Sequence, residues 1–368
     1  MSLPAHAPDF KAPASPSWSA DQDETLRCVG VRQETHDVKT FLLAAAGPRS
    51  FRYLPGQFIT LELLVDELPV NRCYTLSSTP TRPDLVSITV KRVPGGAVSN
   101  WLHDHLRVGM TIGAMGPAGA FSCFQAPAER YLFVSGGSGI TPLMSMTRAL
   151  HDLGSEADIV FLHCARTPAD LLFPEELGMM ARNMPRLRLA MVCEHHTPGS
   201  AYAGHLGRID GYRLAHIAPD FLQRDVYTCG PAPFMAAVRA LLGGAGYDMR
   251  RYREESFSFE SLPPASANAP AAAPPADPQT NETFRIHLQK QGITFDCRAD
   301  QPILQAATAA NIRLPSSCSS GACGTCKTRK LSGAVQIQHA GGIRQREIDQ
   351  GWLLPCCSRP LGDVVLDR

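Results

Sequence analysis

Cys318, Cys323 and Cys326 fall within nine residues, CSSGACGTC, with Gly321 and Gly324 interleaved. Three thiols on one tight loop are soft ligands for a metal, and most such metals take a fourth. Two candidates lie thirty and thirty-one residues on, the adjacent Cys356 and Cys357. Structural zinc and ordinary buried cysteines are the competing readings. Zinc usually pairs two C-x2–4-C knuckles, whereas here three ligands share one loop and the fourth is distant. The C-x4-C-x2-C…C spacing instead suits the four thiolates of a [2Fe-2S] cluster. Gly321 and Gly324 give the loop the positive φ and the close approach to sulfur that such a site requires.

Other segments carry phosphate chemistry. VSGGSGITP follows an apolar run and opens a helical one, so Gly136, Gly137 and Gly139 present backbone N–H groups at a helix start, a pyrophosphate site. Arg72, in RCYTLSS, has the planar fork that fits phosphate oxygens. In PGGAVSNWLHD, Gly96 leads into a helix beginning near Val98 and Ser99, a second place for phosphate. HCARTPADLLF resembles the strand end that holds an adenosine ribose, which implies that Arg166 binds a 2′-phosphate or stacks on adenine; no second basic residue clusters with it, which favours NADH over NADPH. Cys193 and His195 half-match a Rieske C-x-H, but no C-x2-H follows, so CEHH reads as a surface loop and no oxygenase metal site is expected.

These residues need scaffolds to position them. The chain has 368 residues, 44% hydrophobic and 19% charged, enough for more than one core. Its formal charge is +1, which argues against nucleic acid or an anionic membrane as main partner. No apolar run reaches the roughly 18 residues of a spanning helix. The N-terminal 24 residues lack a basic segment followed by an apolar one, so they read as a polar tail rather than a secretory signal. Most of the 12 cysteines are scattered singly, the pattern of reduced thiols in a cytoplasmic protein. Residues 25–126 are rich in short strands such as TFLLAAA, GQFITLEL and DLVSITVKRV, predicting an antiparallel barrel. Over 127–260, strands (YLFVSGG, ADIVFLHCAR, RLRLAMVCE, DVYTCG) alternate with helices, predicting a parallel α/β sheet. Residues 261–282 are nearly all Ala, Pro, Ser and Asn, a spacer without a core. Residues 283–368 read as two strands, a short helix and the cysteine loop.

Several of these motifs carry a family resemblance. RCYTLSS, VKRVPGGAVSNWLHD, VSGGSGITP, CGPAPFM and EESFSF resemble, in order, the markers of the ferredoxin–NADP reductase superfamily. The resemblance implies a barrel that binds FAD, favoured over FMN, with Arg72, Cys73, Tyr74 and Thr75 on the flavin and the backbone of Thr89, Val90 and Lys91 at the isoalloxazine edge. It implies that Thr141 and Pro142 lie where nicotinamide meets flavin. Cys229, Gly230 and Pro231 border the nicotinamide, and Glu255 and Phe257 close the flavin face. Thr141, Cys229 and Glu255 are then the candidates for catalysis. The C-terminal module resembles a plant-type ferredoxin of β-grasp (α+β) fold. In such modules the last ligand precedes a proline by four residues, so Pro360 selects Cys356 and leaves Cys357 a packed or half-exposed thiol.

The whole is similar to reductase components of two-component Rieske monooxygenases. HAGGIRQREIDQGWLLPCCSRPLGD, GGSGITPLMSM and EESF look most like those serving glycine-betaine monooxygenase and related quaternary-amine demethylases. The expected path runs from NADH through FAD and the [2Fe-2S] cluster to a Rieske-type oxygenase. A hybrid-cluster-protein reductase or another Rieske oxygenase's reductase shares this module order, and a non-catalytic iron–sulfur sensor is the reading from another class.

Overall fold

The computed structural model describes residues 16–19, 25–65, 67–197, 199, 201–257, 282–312, 314, 321–322 and 324–368. Most of the N-terminal tail, the Pro/Ala spacer apart from Glu282, and Cys318 and Cys323 lie outside them. The chain forms two compact units, and Thr60–Leu64 and Leu68–Cys73 group with the C-terminal module rather than with the rest of the barrel.

The barrel strands are β1 (Thr25–Thr35), β2 (Val38–Ala45), β3 (Phe58–Val65), β4 (Leu68–Thr75), β5 (Val86–Lys91) and β6 (Thr111–Ala118), in the order β4-β3-β6-β1-β2-β5. β1 pairs antiparallel with β2 and β6, and β2 with β5. A bridge from Leu76 to Ile88 brings the end of β4 against β5. Phe41, Leu43 and Ala45 of β2 are buried at alternate positions, the period-2 pattern of a strand with one face on a core. Helix α1 (Ala97–His105) follows β5.

The second sheet is parallel throughout: β7 (Arg130–Gly136), β8 (Asp158–Ala165), β9 (Leu187–Cys193), β10 (His205–Leu206), β11 (Asp225–Gly230) and β12 (Tyr252–Ser256), ordered β10-β9-β8-β7-β11-β12. Helices cover both faces, which explains the nearly continuous apolar strands. Tyr131, Phe133, Ile159 and Phe161 pack with α2 (Ile140–Asp152) and α3 (Pro174–Asn183). Their neighbours Leu132, Val134, Val160 and Leu162 pack with α4 (Gly211–Ile217) and α5 (Ala232–Gly244). Val38, Phe121, Cys123 and Phe124 from the barrel side join the α2 core, so barrel and parallel sheet share one apolar seam. The order reverses between β7 and β11, a topological switch point, where open α/β sheets bind ligands beyond the strands' carboxyl ends.

The C-terminal module is α+β. Strands β13 (Thr283–Leu288) and β14 (Ile293–Arg298) form a hairpin, and helix α6 (Ile303–Ala309) follows. Then come β15 (Thr328–Ser332), β16 (Val335–Ile337), α7 (Gln345–Asp349), β17 (Trp352–Leu353), β18 (Ser358–Pro360) and β19 (Val364–Leu366). The main sheet runs β14-β13-β19-β15-β17, with β13 and β19 parallel. Ile286, Phe295, Ile303, Cys326 and Cys356 share its core. Among the described residues no helix is long and apolar enough to cross a membrane.

Candidate functional site

Two glycine turns meet at the switch point. Gly137 has φ +53°, a left-handed conformation that glycine takes without penalty. A Cβ on Gly139 would lie 2.3 Å from the Cys229 carbonyl oxygen and 2.5 Å from the Gly230 nitrogen. Cβ atoms on Gly136 and Gly230 would lie 2.9 and 2.7 Å from the Phe234 ring. The turns after β7 and β11 therefore pack backbone on backbone. Beside them opens a cavity of about 390 Å³, lined by Gly136, Gly137, Ser138, Pro231 and Phe234 among others. Thr141 is buried in the first turn of α2 with its hydroxyl donating to the Ser138 carbonyl at 3.2 Å; Pro142, which has no N–H, fits that same turn.

Charges ring the cavity in matched pairs. Arg166 donates to Asp170 at 2.9 Å and reaches Asp37 at 3.5 Å, while Lys91 lies 3.3 Å from Asp37. Arg208 pairs with Glu194 at 3.2 Å. Lys91 therefore turns its side chain to this cavity. Asp37, Asp170, Glu194 and Arg208 were not singled out by motif; they come from separate loops. Cys193 and Glu194 also depart from the surface-loop reading of CEHH. Cys193 is the buried last residue of β9, and Glu194 lines the cavity wall.

Glu255 stands opposite Cys229 in the β11–β12 register. Burial pushes its carboxyl up to about 8, against the opposing pull of a hydrogen bond with Thr75. Among the described residues its Oε2 has no hydrogen-bond partner. The buried Cys229 thiol is likewise pushed up, by burial and then by Glu255, so it is inert rather than a nucleophile. Phe257, just past β12, packs against the α2 core. Arg72, Cys73, Tyr74 and Thr75 are consecutive on β4, and Arg72 donates to its neighbour Asn71's carbonyl at 2.9 Å.

Thr89 shares hydroxyl contacts with Thr40 at 2.8 Å and Ser77 at 2.9 Å inside the barrel. The Val90 carbonyl lies 2.9 Å from Nε2 of His103, a buried ring whose pKa burial lowers, so it sits there neutral and donates. Gly96 caps α1 and Val98 is buried. The Ser99 hydroxyl accepts from Val93 N at 3.1 Å and donates to the Gly96 carbonyl at 3.2 Å. It builds the turn that precedes the helix. The unpartnered Glu255 oxygen beside the Thr75 hydroxyl is a site that a ring with donor and acceptor edges satisfies, and the residues fit a flavin.

In the C-terminal module the sulfurs of Cys326 and Cys356 lie 3.3 Å apart and both residues are buried. Gly321 and Gly324 have φ of +73° and +70°. Gly342 was not anticipated: a Cβ there would lie 2.7 Å from Gly321 O and from Gly324 N, and its own N–H donates to Gly321 O at 2.9 Å. The GG of HAGGIR thus backs the cysteine loop. Two sulfurs meeting beside a positive-φ loop fit an iron–sulfur cluster, which draws thiolates together.

Comparison with known proteins bears on each region. Three family models match: an oxidoreductase FAD-binding domain over residues 26–123, an oxidoreductase NAD-binding domain over 133–240 and a 2Fe-2S iron-sulfur cluster binding domain over 286–361. The chain is 43% identical to the glycine betaine monooxygenase reductase subunit of Pseudomonas aeruginosa, over 98% of this chain and 99% of that one. It is 42% identical to the stachydrine N-demethylase reductase subunit of Rhizobium meliloti, over 95% and 97%. The solved structure of phthalate dioxygenase reductase matches with TM-score 0.56 at 25% identity, over 95% of this chain and 99% of that one.

Proposed function

The chain belongs to the family of FAD-, NAD- and [2Fe-2S]-binding reductase components of monooxygenases, and from that premise we propose that it supplies electrons from NADH to a Rieske-type oxygenase that N-demethylates glycine betaine or a related quaternary amine. When bound, FAD takes an electron pair as hydride and releases electrons singly to the cluster. The protein's own residues place the partners. The Gly136–Gly139 turn at the start of α2 binds the dinucleotide pyrophosphate. Thr141 and Cys229 flank the nicotinamide end, and Arg72 anchors flavin phosphate. Glu255, neutral at pH 7, holds a proton at its carboxyl beside the Thr75 hydroxyl, and this uncharged pair would face a bound flavin. Cys318, Cys323, Cys326 and Cys356 supply the four thiolates. The many free cysteines support a reducing compartment, the cytoplasm.

The observation that carries this reading is the backbone contact of Gly139 with Cys229–Gly230, beside the Glu255–Thr75 pair. It sets a dinucleotide turn against the strand whose neighbour carries Glu255, the residue that would face a flavin. The test mixes the purified protein and NADH with candidate Rieske oxygenases and assays formaldehyde from glycine betaine, carnitine and stachydrine. Formaldehyde with one of these supports the assignment. Cytochrome c reduction without formaldehyde from any of them would move the acceptor elsewhere.

A further inference from the structure

Helix α2 carries a polar stripe that the reading above does not use. Thr141, Ser145, Arg148 and Asp152 are spaced i, i+4, i+7 and i+11, so they share one helix face. Three of them grip the segment that continues from β4. Ser145 donates to the Ser78 carbonyl. Arg148 donates to the Ser77 carbonyl and, at 2.8 and 2.6 Å, to both carboxylate oxygens of Glu176, while lying over the Phe173 ring at 5.0 Å. Asp152 accepts from Arg82 at 3.0 and 2.9 Å and from the Thr81 hydroxyl at 2.5 Å. Ser77 and Ser78 stand two and three residues beyond Thr75. They are themselves held, Ser77 by Thr89 at 2.9 Å and Ser78 by the Tyr53 hydroxyl at 2.9 Å.

The apolar seam around α2 holds the barrel and the parallel sheet together, but apolar contact is non-directional and sets no register. A guanidinium that is 7% exposed is directional. Left without its acceptors it would be costly to bury, so its partners must sit where it points. Helix α2 thus acts as a ruler. Its first turn carries the dinucleotide loop, and about 10 Å further on, at 1.5 Å per residue, Arg148 is tied to the end of the flavin strand.

We propose that Ser145 and Arg148 are positioning residues for hydride transfer, fixing the nicotinamide turn against the end of the flavin strand. The inference rests on the reading of the α2 start as the nicotinamide turn. Transfer rates fall steeply with misplacement of the reacting atoms, whereas binding of the dinucleotide's phosphates does not depend on this register.

The test uses the full-length, flavin-loaded protein and the variants Arg148→Lys, Arg148→Met and Ser145→Ala. Anaerobic stopped-flow reduction against NADH concentration separates the limiting rate from NADH affinity. A second readout needs no turnover: the long-wavelength absorption band of the reduced protein mixed with NAD. The expected result is a limiting rate lower by about tenfold or more in Arg148→Met, NADH affinity within about twofold, and a weakened band. Arg148→Lys and Ser145→Ala should show smaller losses of the same kind, and they carry the test if Arg148→Met does not fold. An unchanged limiting rate and band at full flavin content would overturn the proposal, as would losses that merely track flavin content. Wild-type protein whose flavin NADH does not reduce would instead sink the assigned function.

Discussion

The sulfurs of Cys326 and Cys356 lie 3.3 Å apart, while the adjacent Cys357 turns its thiol to the Leu354 carbonyl at 3.7 Å. Cys356 thus faces the loop's last ligand sulfur, whereas Cys357 sets its sulfur between the Leu354 carbonyl and Gly321 of the loop. Cys356→Ser is expected to lose the cluster, read as iron, acid-labile sulfide and the electron paramagnetic resonance signal, while NADH still reduces the flavin. Cys357→Ser should keep all three. A swap of the two phenotypes would transfer the ligand role to Cys357.

Gly139 has no room for a methyl group, because the Cys229–Gly230 peptide occupies its place at 2.3–2.5 Å. The obstacle is backbone, which cannot rotate away as a side chain would. Gly139→Ala should therefore part the two turns, costing roughly 1–3 kcal/mol of stability. NADH affinity should weaken while flavin content stays high. Thermal unfolding and NADH titration check both. Wild-type values in each would show that the turns can separate freely.

How far the sequence disclosed this site depends on the kind of signal. Gly136, Gly137 and Gly139 were legible because glycine between an apolar strand and a helix has few other uses, and DVYTCG showed its turn for the same reason. The cysteine loop was legible from spacing alone. Strands β1 and β6 were harder: TLRCVGVRQET is half exposed and carries charge on its outward positions, so its alternation is blurred. Helix α3 was passed over although Pro174 at its start and Glu175 and Glu176 in its first turn are ordinary start signals. Asp37, Asp170, Glu194 and Arg208 could not be found by motif. They converge only after the barrel turn and the loops after β8, β9 and β10 are folded against one cavity. Glu255 was named by resemblance, but its raised pKa depends on burial, which no local string encodes.

Arg72 is placed on β4 beside Tyr74 and Thr75, and its guanidinium donates to its neighbour's carbonyl at 2.9 Å. Charge-assisted bonds to a phosphate are worth roughly 1.5–3 kcal/mol each. Arg72→Ala should therefore weaken FAD binding by about tenfold to a hundredfold, measured by flavin retained on gel filtration and by titration of the stripped protein. Full retention would remove Arg72 from the flavin site.

The cations around the cavity beside the glycine turns are already committed: Arg166 to Asp170 and Asp37, Lys91 to Asp37, Arg208 to Glu194. A 2′-phosphate would have to compete with these carboxylates, which favours NADH. Glu194→Gln removes one competitor and frees Arg208. Because that pair is exposed, its release is worth at most about 1 kcal/mol, so the NADPH-to-NADH ratio of kcat/KM should rise by roughly fivefold or less. A ratio that does not rise at all would mean that the ribose phosphate lies away from Arg208.

Glu255 gives the protein a titration near neutrality. With its carboxyl raised from 4.5 to about 8, it is protonated at pH 7 and ionises as pH climbs through 8. Between those values the folded flavin-free protein binds a proton that the unfolded chain does not. This group's contribution to stability is therefore fully present below pH 4.5 and is lost as pH rises to about 8. Glu255→Gln stays neutral throughout. The stability of wild type relative to the variant should fall across that window and level off above it, measured by denaturant unfolding of the stripped proteins. In the loaded proteins, NADH-dependent turnover should decline above pH 8 in wild type, where the ionised carboxylate sets a negative charge beside a ring that must gain an electron pair. The variant, neutral throughout, should lack that inflection. Parallel pH profiles for the two proteins, in both stability and turnover, would show that the Glu255 carboxyl neither titrates in this range nor serves the flavin face.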